Sequence, residues 1–217
     1  MTDLLLVRHG ETVWHAENRY AGVSDVPLTA LGHTQAGRLA SWAAATQLSG
    51  VWTSTLSRAQ LTALPCAQAA DVALMVDPRL RELNFGSGEG LTRREMRERF
   101  PDALNAFGND PVAHHLPGGE NPVEAAHRFT DCLHDMTTHH PEGRVLVVAH
   151  GTVIRLALCH LLGMPLREYR RVFPVVDNCA VSEIRLHHGR FSLLTFNARI
   201  TTGPGPLASQ TLLPEVG

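Results

Sequence analysis

The sequence predicts an α/β chain: a three-layer α/β/α sandwich around a mostly parallel sheet, with a small cap inserted over one end. Three observations predict this. Two short apolar runs, Leu4 to Val7 and Val145 to Ala149, stop abruptly before a polar stretch that contains a histidine, and each leads on to helical sequence. Between them strand-like and helix-like segments alternate. One stretch, residues 84–121, breaks the alternation with clustered glycines followed by charges.

Leu4 to Val7 is continuously apolar, as in a strand buried on both faces, and gives way to Arg8-His9-Gly10-Glu11. Thr29 to Thr46 is rich in Ala and Leu at helical spacing, and Val51 to Ser54 reads as a second strand. Ser57 to Ala70 reads as a helix that Pro65 should kink or end early, and Ala73 to Val76 as a third strand. In the inserted stretch, glycines fall at Gly86, Gly88 and Gly90, Thr92-Arg93-Arg94-Glu95 has capping-box spacing, and Pro111 to Gly119 is loop-like. Asn121-Pro122-Val123-Glu124 supplies an N-cap and a Pro at the first helical position. The helix that follows carries a core stripe of Val123, Ala126, Phe129 or Thr130, Leu133 and Met136.

Val145 to Ala149 repeats the design of the first strand and ends at His150-Gly151. Thr152 to Leu162 is a helix closed by Gly163 and Pro165, and Ala180 to Leu186 and Arg190 to Asn197 alternate as strands about a turn at His187 to Gly189. Residues 1–200 thus read as a single domain with a cap at about 84–121. Residues 201–217, with Pro and Gly but no period, read as a loose C-terminal tail.

Composition narrows the function classes. The chain has 217 residues and is 44% hydrophobic, enough for a sizeable core. Nineteen Lys and Arg against 21 Asp and Glu argue against a nucleic-acid surface, so a charged ligand has to be held by a local cluster. No segment has the length of a membrane span or the make-up of a signal peptide, which points to the cytoplasm. Cys66, Cys132, Cys159 and Cys179 lack paired spacing and read as reduced core residues. The 13 histidines include the pairs His114-His115, His139-His140 and His187-His188, yet none forms a metal-ligand pattern; no metal and no cofactor are expected. The sequence leaves oligomeric state open and is compatible with a homo-oligomer.

Hydrolysis of a phosphate monoester needs a nucleophile in line with the leaving oxygen, cations around the equatorial oxygens and an acid for the leaving alcohol. Arg8-His9-Gly10 ends the first strand, with Gly10 expected to let the backbone approach an anion. Ser54-Thr55-Leu56-Ser57-Arg58-Ala59 puts an Arg just inside a helix start, where free N–H groups favour an anion. His150-Gly151-Thr152 brings a second imidazole beyond another strand. Taken singly, Arg58 reads as a helix-surface residue and His150 as a core histidine. Together they point to a phosphoryl site.

With LLLVRHGET, then Gly22, Asp25 and PLTALG, then TSTLSRAQLTA, LRELNFGSGEGLT, PGGEN and VLVVAHGTVIR, the chain resembles the histidine phosphatase (phosphoglycerate mutase-like) superfamily from about Leu4 to Leu162. The resemblance implies that His9 is phosphorylated, that Arg8, Arg58 and His150 cradle the phosphoryl oxygens, and that Glu82 protonates the leaving group. His15, Asn18, Gly22 and Gly151 complete the implied substrate contacts. Guanidinium forks match phosphate oxygens, nearby cations keep a His9 nitrogen unprotonated, and a phosphate dianion favours a proton on Glu82. Two departures stand out. Trp14-His15 replaces the family's usual Trp-Asn, so that either His15 or Asn18 has to supply the missing donor, and Gly86-Ser87-Gly88-Glu89-Gly90 lacks the usual aromatic.

LRELNFG and PGGEN resemble the phosphatase branch, whereas Glu17-Asn18-Arg19-Tyr20-Ala21-Gly22 resembles the mutase branch. The expected activity is hydrolysis of a small phosphorylated metabolite. A cofactor-dependent mutase is the first alternative; it calls for more basic contacts in the cap, where Arg93, Arg94, Arg97 and Arg99 interleave with Glu95 and Glu98 as on a solvated helix. A non-catalytic phosphate-binding regulatory module is the alternative of another class. Specificity is expected from Phe85, Phe107, His114, His115 and Leu116.

Overall fold

The computed structural model describes residues 1–187 and 189–200; the tail expected at 201–217 and His188 lie outside the described residues. In chain order the elements are β1 (Thr2–Arg8), α1 (Ala30–Ala44), β2 (Leu48–Thr53), α2 (Ser57–Ala70), β3 (Leu74–Val76), α3 (Arg93–Arg99) and α4 (Pro101–Asn109). There follow α5 (Pro122–His139), β4 (Gly143–Ala149), α6 (Gly151–Leu161), α7 (Tyr169–Val172), β5 (Val181–His187) and β6 (Arg190–Ala198). The six strands form one sheet in the order β3-β2-β4-β1-β5-β6. β1, β2, β3 and β4 run parallel, and the β5–β6 hairpin closes one edge antiparallel.

The three layers follow from alternation along the central strands. Leu4 and Leu6 of β1 pack with Val145, Val147 and Ala149 of β4 against α5 and α6, while Leu5 and Val7 pack with Leu146 and Val148 against α1 and α2. A period of two thus feeds two cores from one run of apolar residues, which is why neither strand alternates with polar residues. All nine of these side chains are at most 1% exposed. Truncating one, such as Leu5→Ala, costs about 2–5 kcal/mol.

Local signals set the helix ends. Thr29 caps α1 by accepting from Gly32 N at 3.0 Å. Thr92 and Glu95 form the full capping box of α3, and Asn121 caps α5 with Pro122 at its first position. Of the two outcomes expected of Pro65, an early end does not occur: the helix runs on to Ala70 and stops at Asp71 in the left-handed region (φ 52°). The carbonyl that loses its partner belongs to Leu61, an exposed residue, where water can replace the missing N–H. Among the described residues no helix is long and apolar enough to cross a membrane.

Candidate active site

Strand register brings the two histidines together. Arg8 pairs with Ala149 across β1 and β4, so the residues that follow, His9 and His150, emerge side by side at the carboxyl ends of adjacent parallel strands. Their ring centroids are 5.1 Å apart, and His9 N donates to Ala149 O at 3.0 Å. β1 leads to a helix on one face and β4 to a helix on the other, and such a switch point opens the crevice where α/β folds bind ligands.

His9 is buried, and its Nδ1 lies 2.7 Å from the carbonyl of Gly10. A carbonyl only accepts, so Nδ1 carries the proton and Nε2 keeps its lone pair. Burial, then Arg8 and Arg58, hold the ring well below the usual histidine pKa. The sequence reading credited the cations; desolvation is the larger cause. Asn178 Nδ2 fixes the His9 carbonyl at 2.7 Å, and Thr62 Oγ1 accepts from Gly10 N at 3.0 Å.

Arg8 reaches Val176 O through Nη1 (2.9 Å) and His15 Nε2 through Nη2 (2.6 Å), which leaves its buried Nε with no partner. His15 sits between donors on both sides, with Thr12 N 3.0 Å from Nδ1. Nδ1 also lies 2.8 Å from Thr12 Oγ1, which can accept its proton, so that Nε2 accepts from Arg8 Nη2 and faces Asn178 Nδ2 at 3.4 Å. The ring stays neutral, with a pKa of about 4 from burial and then Arg8.

Arg58 is fully buried beside His9 rather than on the cavity wall. Its Nε donates to His9 Nε2 at 3.3 Å, while the rest of the fork holds the carbonyls of Ala21, Gly22 and Ser24. The N–H groups of that loop converge on Glu89: Gly22 N (3.1 Å), Val23 N (3.2 Å) and Ser24 N (3.3 Å), with Ser24 Oγ at 2.8 Å. Gly22 therefore gives both its backbone groups to the scaffold, not to substrate. A Cβ there would lie 2.1 Å from Glu89 Oε1, so only glycine fits.

His150 is fully buried and its Nε2 lies 2.7 Å from Ser54 Oγ. Ser54 Oγ accepts from Leu56 N and still has both a hydrogen and a second lone pair for His150 Nε2, so the contact admits either tautomer, and Nδ1 has no partner. Burial, followed by Arg58, His9 and Arg8, keeps this ring neutral as well. Arg8 Nε and His150 Nδ1 are the two buried side-chain polar atoms without a partner among the described residues. Both belong to residues adjoining His9.

Glu82 is buried at the start of α6, where Oε1 accepts from Leu83 N (2.8 Å) and Val153 N (2.9 Å) and Oε2 from Thr152 N (2.9 Å). Oε2 has one donor against two for Oε1, so it retains a lone pair for proton transfer. The start of α2, expected to receive an anion, is occupied by Asp25, which takes the N–H and hydroxyl of Ser57 at 2.9 and 2.6 Å. Gly10 is likewise needed for another reason than anion approach: a Cβ there would strike Gly32 O at 2.6 Å. Gly151 has Arg8 lying over it, with Nε 3.4 Å from an added Cβ.

A cavity of about 600 Å³ opens above His9, lined among others by Arg8, His15, Asn18, Glu82, Gly151 and Thr152. Asn18 joins it from a left-handed turn (φ 53°). From the segment between β3 and α5, Phe85, Thr92 and Arg93 reach the cavity, and Arg93, Arg94, Arg97 and Arg99 are all exposed as expected. Of the other side chains expected to set specificity, Leu116 is core and His114 and His115 do not line it. Phe107 is buried under the guanidinium of Arg170, 4.4 Å from its centroid. No group of three or more metal-binding side chains converges among the described residues, and the four cysteines are free and buried.

The model of the histidine phosphatase superfamily (branch 1) matches residues 4–199. The chain belongs to this superfamily. As a superfamily member it is 34% identical to the probable phosphoglycerate mutase of Escherichia fergusonii over 184 residues, 85% of each chain. It is 30% identical to phosphoserine phosphatase 1 of Hydrogenobacter thermophilus over 197 residues, 91% of this chain and 92% of the other. Its fold matches a mycobacterial glucosyl-3-phosphoglycerate phosphatase in complex with VO3, with a TM-score of 0.83, 28% identity and coverage of 91% and 99%. The superfamily assignment agrees with the sequence motifs and with the three-layer fold; these relatives include both phosphatases and a mutase.

Proposed function

We propose that this superfamily member is a metal-independent phosphatase that hydrolyses a small phosphomonoester metabolite through a phosphohistidine at His9. The observation that carries this reading is the 2.7 Å contact of His9 Nδ1 with Gly10 O, which fixes the tautomer with Nε2 as the attacking atom. Nε2 attacks phosphorus and the P–O bond to the alcohol breaks as Glu82 Oε2 gives that oxygen a proton. Water then attacks the phosphohistidine and returns a proton to Glu82 as the P–N bond breaks. Arg8, whose Nε has no other partner, and His150, in the tautomer with its proton on Nδ1, donate to the phosphoryl oxygens, while Arg58 adds positive charge from beside His9.

The mutase reading has one specific observation in its favour: Arg93 of α3, exposed as expected, also borders the cavity. A non-catalytic module is disfavoured by the presence of both His9 and Glu82 on one cavity. Four buried, free cysteines support a reducing compartment such as the cytoplasm. The test is one exhaustively chelated sample given a phosphoglycerate and its bisphosphate, with free phosphate and isomer interconversion followed together. Phosphate release should survive chelation and exceed isomerisation. Recovery only on adding metal would overturn the mechanism, and isomerisation outrunning release would favour the mutase.

A further inference from the structure

Arg8 commits its two terminal nitrogens to the protein and keeps the third free. Nη1 donates to Val176 O at 2.9 Å and Nη2 to His15 Nε2 at 2.6 Å, whereas Nε is buried without a partner. A guanidinium is a rigid plane, so acceptors at two of its corners fix where the third nitrogen points. That plane lies over Gly151, with Nε, Cδ and Cζ 3.4, 3.5 and 3.7 Å from where a Cβ would stand. A carbonyl and a neutral imidazole carry no net charge, so neither holder offsets the positive charge of Arg8.

The ring that holds Nη2 is itself held. His15 Nδ1 lies 2.8 Å from Oγ1 and 3.0 Å from N of Thr12, a buried residue bridged to Leu28. Nε2 faces Arg8 Nη2 and, at 3.4 Å, Asn178 Nδ2, whose 2.7 Å bond to His9 O fixes it as a donor. A proton on Nε2 would oppose both of these donors, one of them a cation. A proton on Nδ1 opposes only the neutral Thr12 N and has Oγ1 to accept it. The second arrangement costs less, and Nε2 is therefore the acceptor. With a pKa of about 4, lowered by burial and then by Arg8, the ring keeps that lone pair at neutral pH.

Resting on the phosphatase reading, we propose that His15 is a positioning residue: its Nε2 lone pair anchors Arg8 Nη2 so that Arg8 presents Nε–H to the phosphoryl group, rather than itself supplying the donor expected at this position. Reach explains why an imidazole serves here. Nε2 stands at the end of a longer side chain than the family's usual Asn, whose amide extends only about as far as Nδ1 does. A Gln amide extends about as far as Nε2.

Three substitutions test this: His15→Asn, which keeps an amide at the Nδ1 position, His15→Gln, which returns an acceptor to the Nε2 position, and Arg8→Met. The probe is inorganic phosphate, whose calorimetric Kd depends neither on turnover nor on how much of a sample is folded. His15→Asn should weaken phosphate binding by about fivefold or more, part of what a hydrogen bond to a charged group contributes. His15→Gln should restore it to within about twofold of the wild type, since the acceptor is back in reach of Arg8. In the Arg8→Met background the Asn and Gln variants should bind phosphate alike, because the group they act through is gone. Wild-type affinity in His15→Asn, a Gln variant as weak as the Asn variant, or an undiminished Asn loss in the Arg8→Met background would overturn the assignment. Wild-type enzyme given p-nitrophenyl phosphate tests the phosphatase reading separately. No release of phosphate sinks that reading, while the binding comparison still decides the role of His15.

Discussion

Ser54 Oγ lies 2.7 Å from His150 Nε2 and accepts from Leu56 N at 3.3 Å. Donation of its hydrogen to Nε2 places the His150 proton on Nδ1, the tautomer that the proposed mechanism uses. Ser54→Ala should lower kcat/KM by about tenfold, the worth of one hydrogen bond of ~1.4 kcal/mol. Steady-state kinetics with an aryl phosphate check this, and an unchanged value would remove Ser54 from the tautomer role.

Arg58 combines a contact to the nucleophile with three loop carbonyls. Arg58→Ala should lose about 10²–10³ in kcat, as for removal of one preorganised donor. Arg58→Lys should not restore it, because an ammonium cannot span His9 and the carbonyls of Ala21, Gly22 and Ser24 as the fork does. Near-wild-type activity in the Lys variant would mean that only the charge matters.

Glu82→Gln should lose about 10²–10⁴ in kcat with alkyl phosphates. With an aryl phosphate, whose leaving group scarcely needs a proton, the loss should be far smaller. Equal losses on the two substrates would exclude the acid role.

His9, His15 and His150 all have folded pKa values below that of a free histidine, chiefly through burial. Below about pH 6.5 the unfolded chain therefore binds more protons than the folded one, and stability is complete above that pH and falls as the pH drops through it. His140 and His160 are shifted in the same direction. Urea midpoints should decline from pH 7.5 to 5, each extra proton adding about 1.4 kcal/mol per pH unit to the slope. A flat profile over that range would contradict neutral burial of these rings.

Both histidine-bearing strands were legible in the sequence because a continuous apolar run interrupted by charge has few other readings. The pairing of Arg8 with Ala149, which joins those strands, was not, since register depends on the whole sheet. Gly10 and the start of α2 were attributed to anion binding because local sequence cannot reveal that Gly32 and Asp25 already stand there. Glu89, Thr62 and Asn178 hold the site through contacts spanning 52 to 169 residues, and no local pattern marks them.

The central claim is that His9 itself carries the phosphoryl group. Rapid-quench trapping with substrate labelled at phosphorus tests it most directly, followed by mapping of the modified peptide. An acid-labile, alkali-stable phosphoenzyme should form in the wild type, map to His9, and be absent from His9→Ala. Label trapped at wild-type level in His9→Ala would contradict the account.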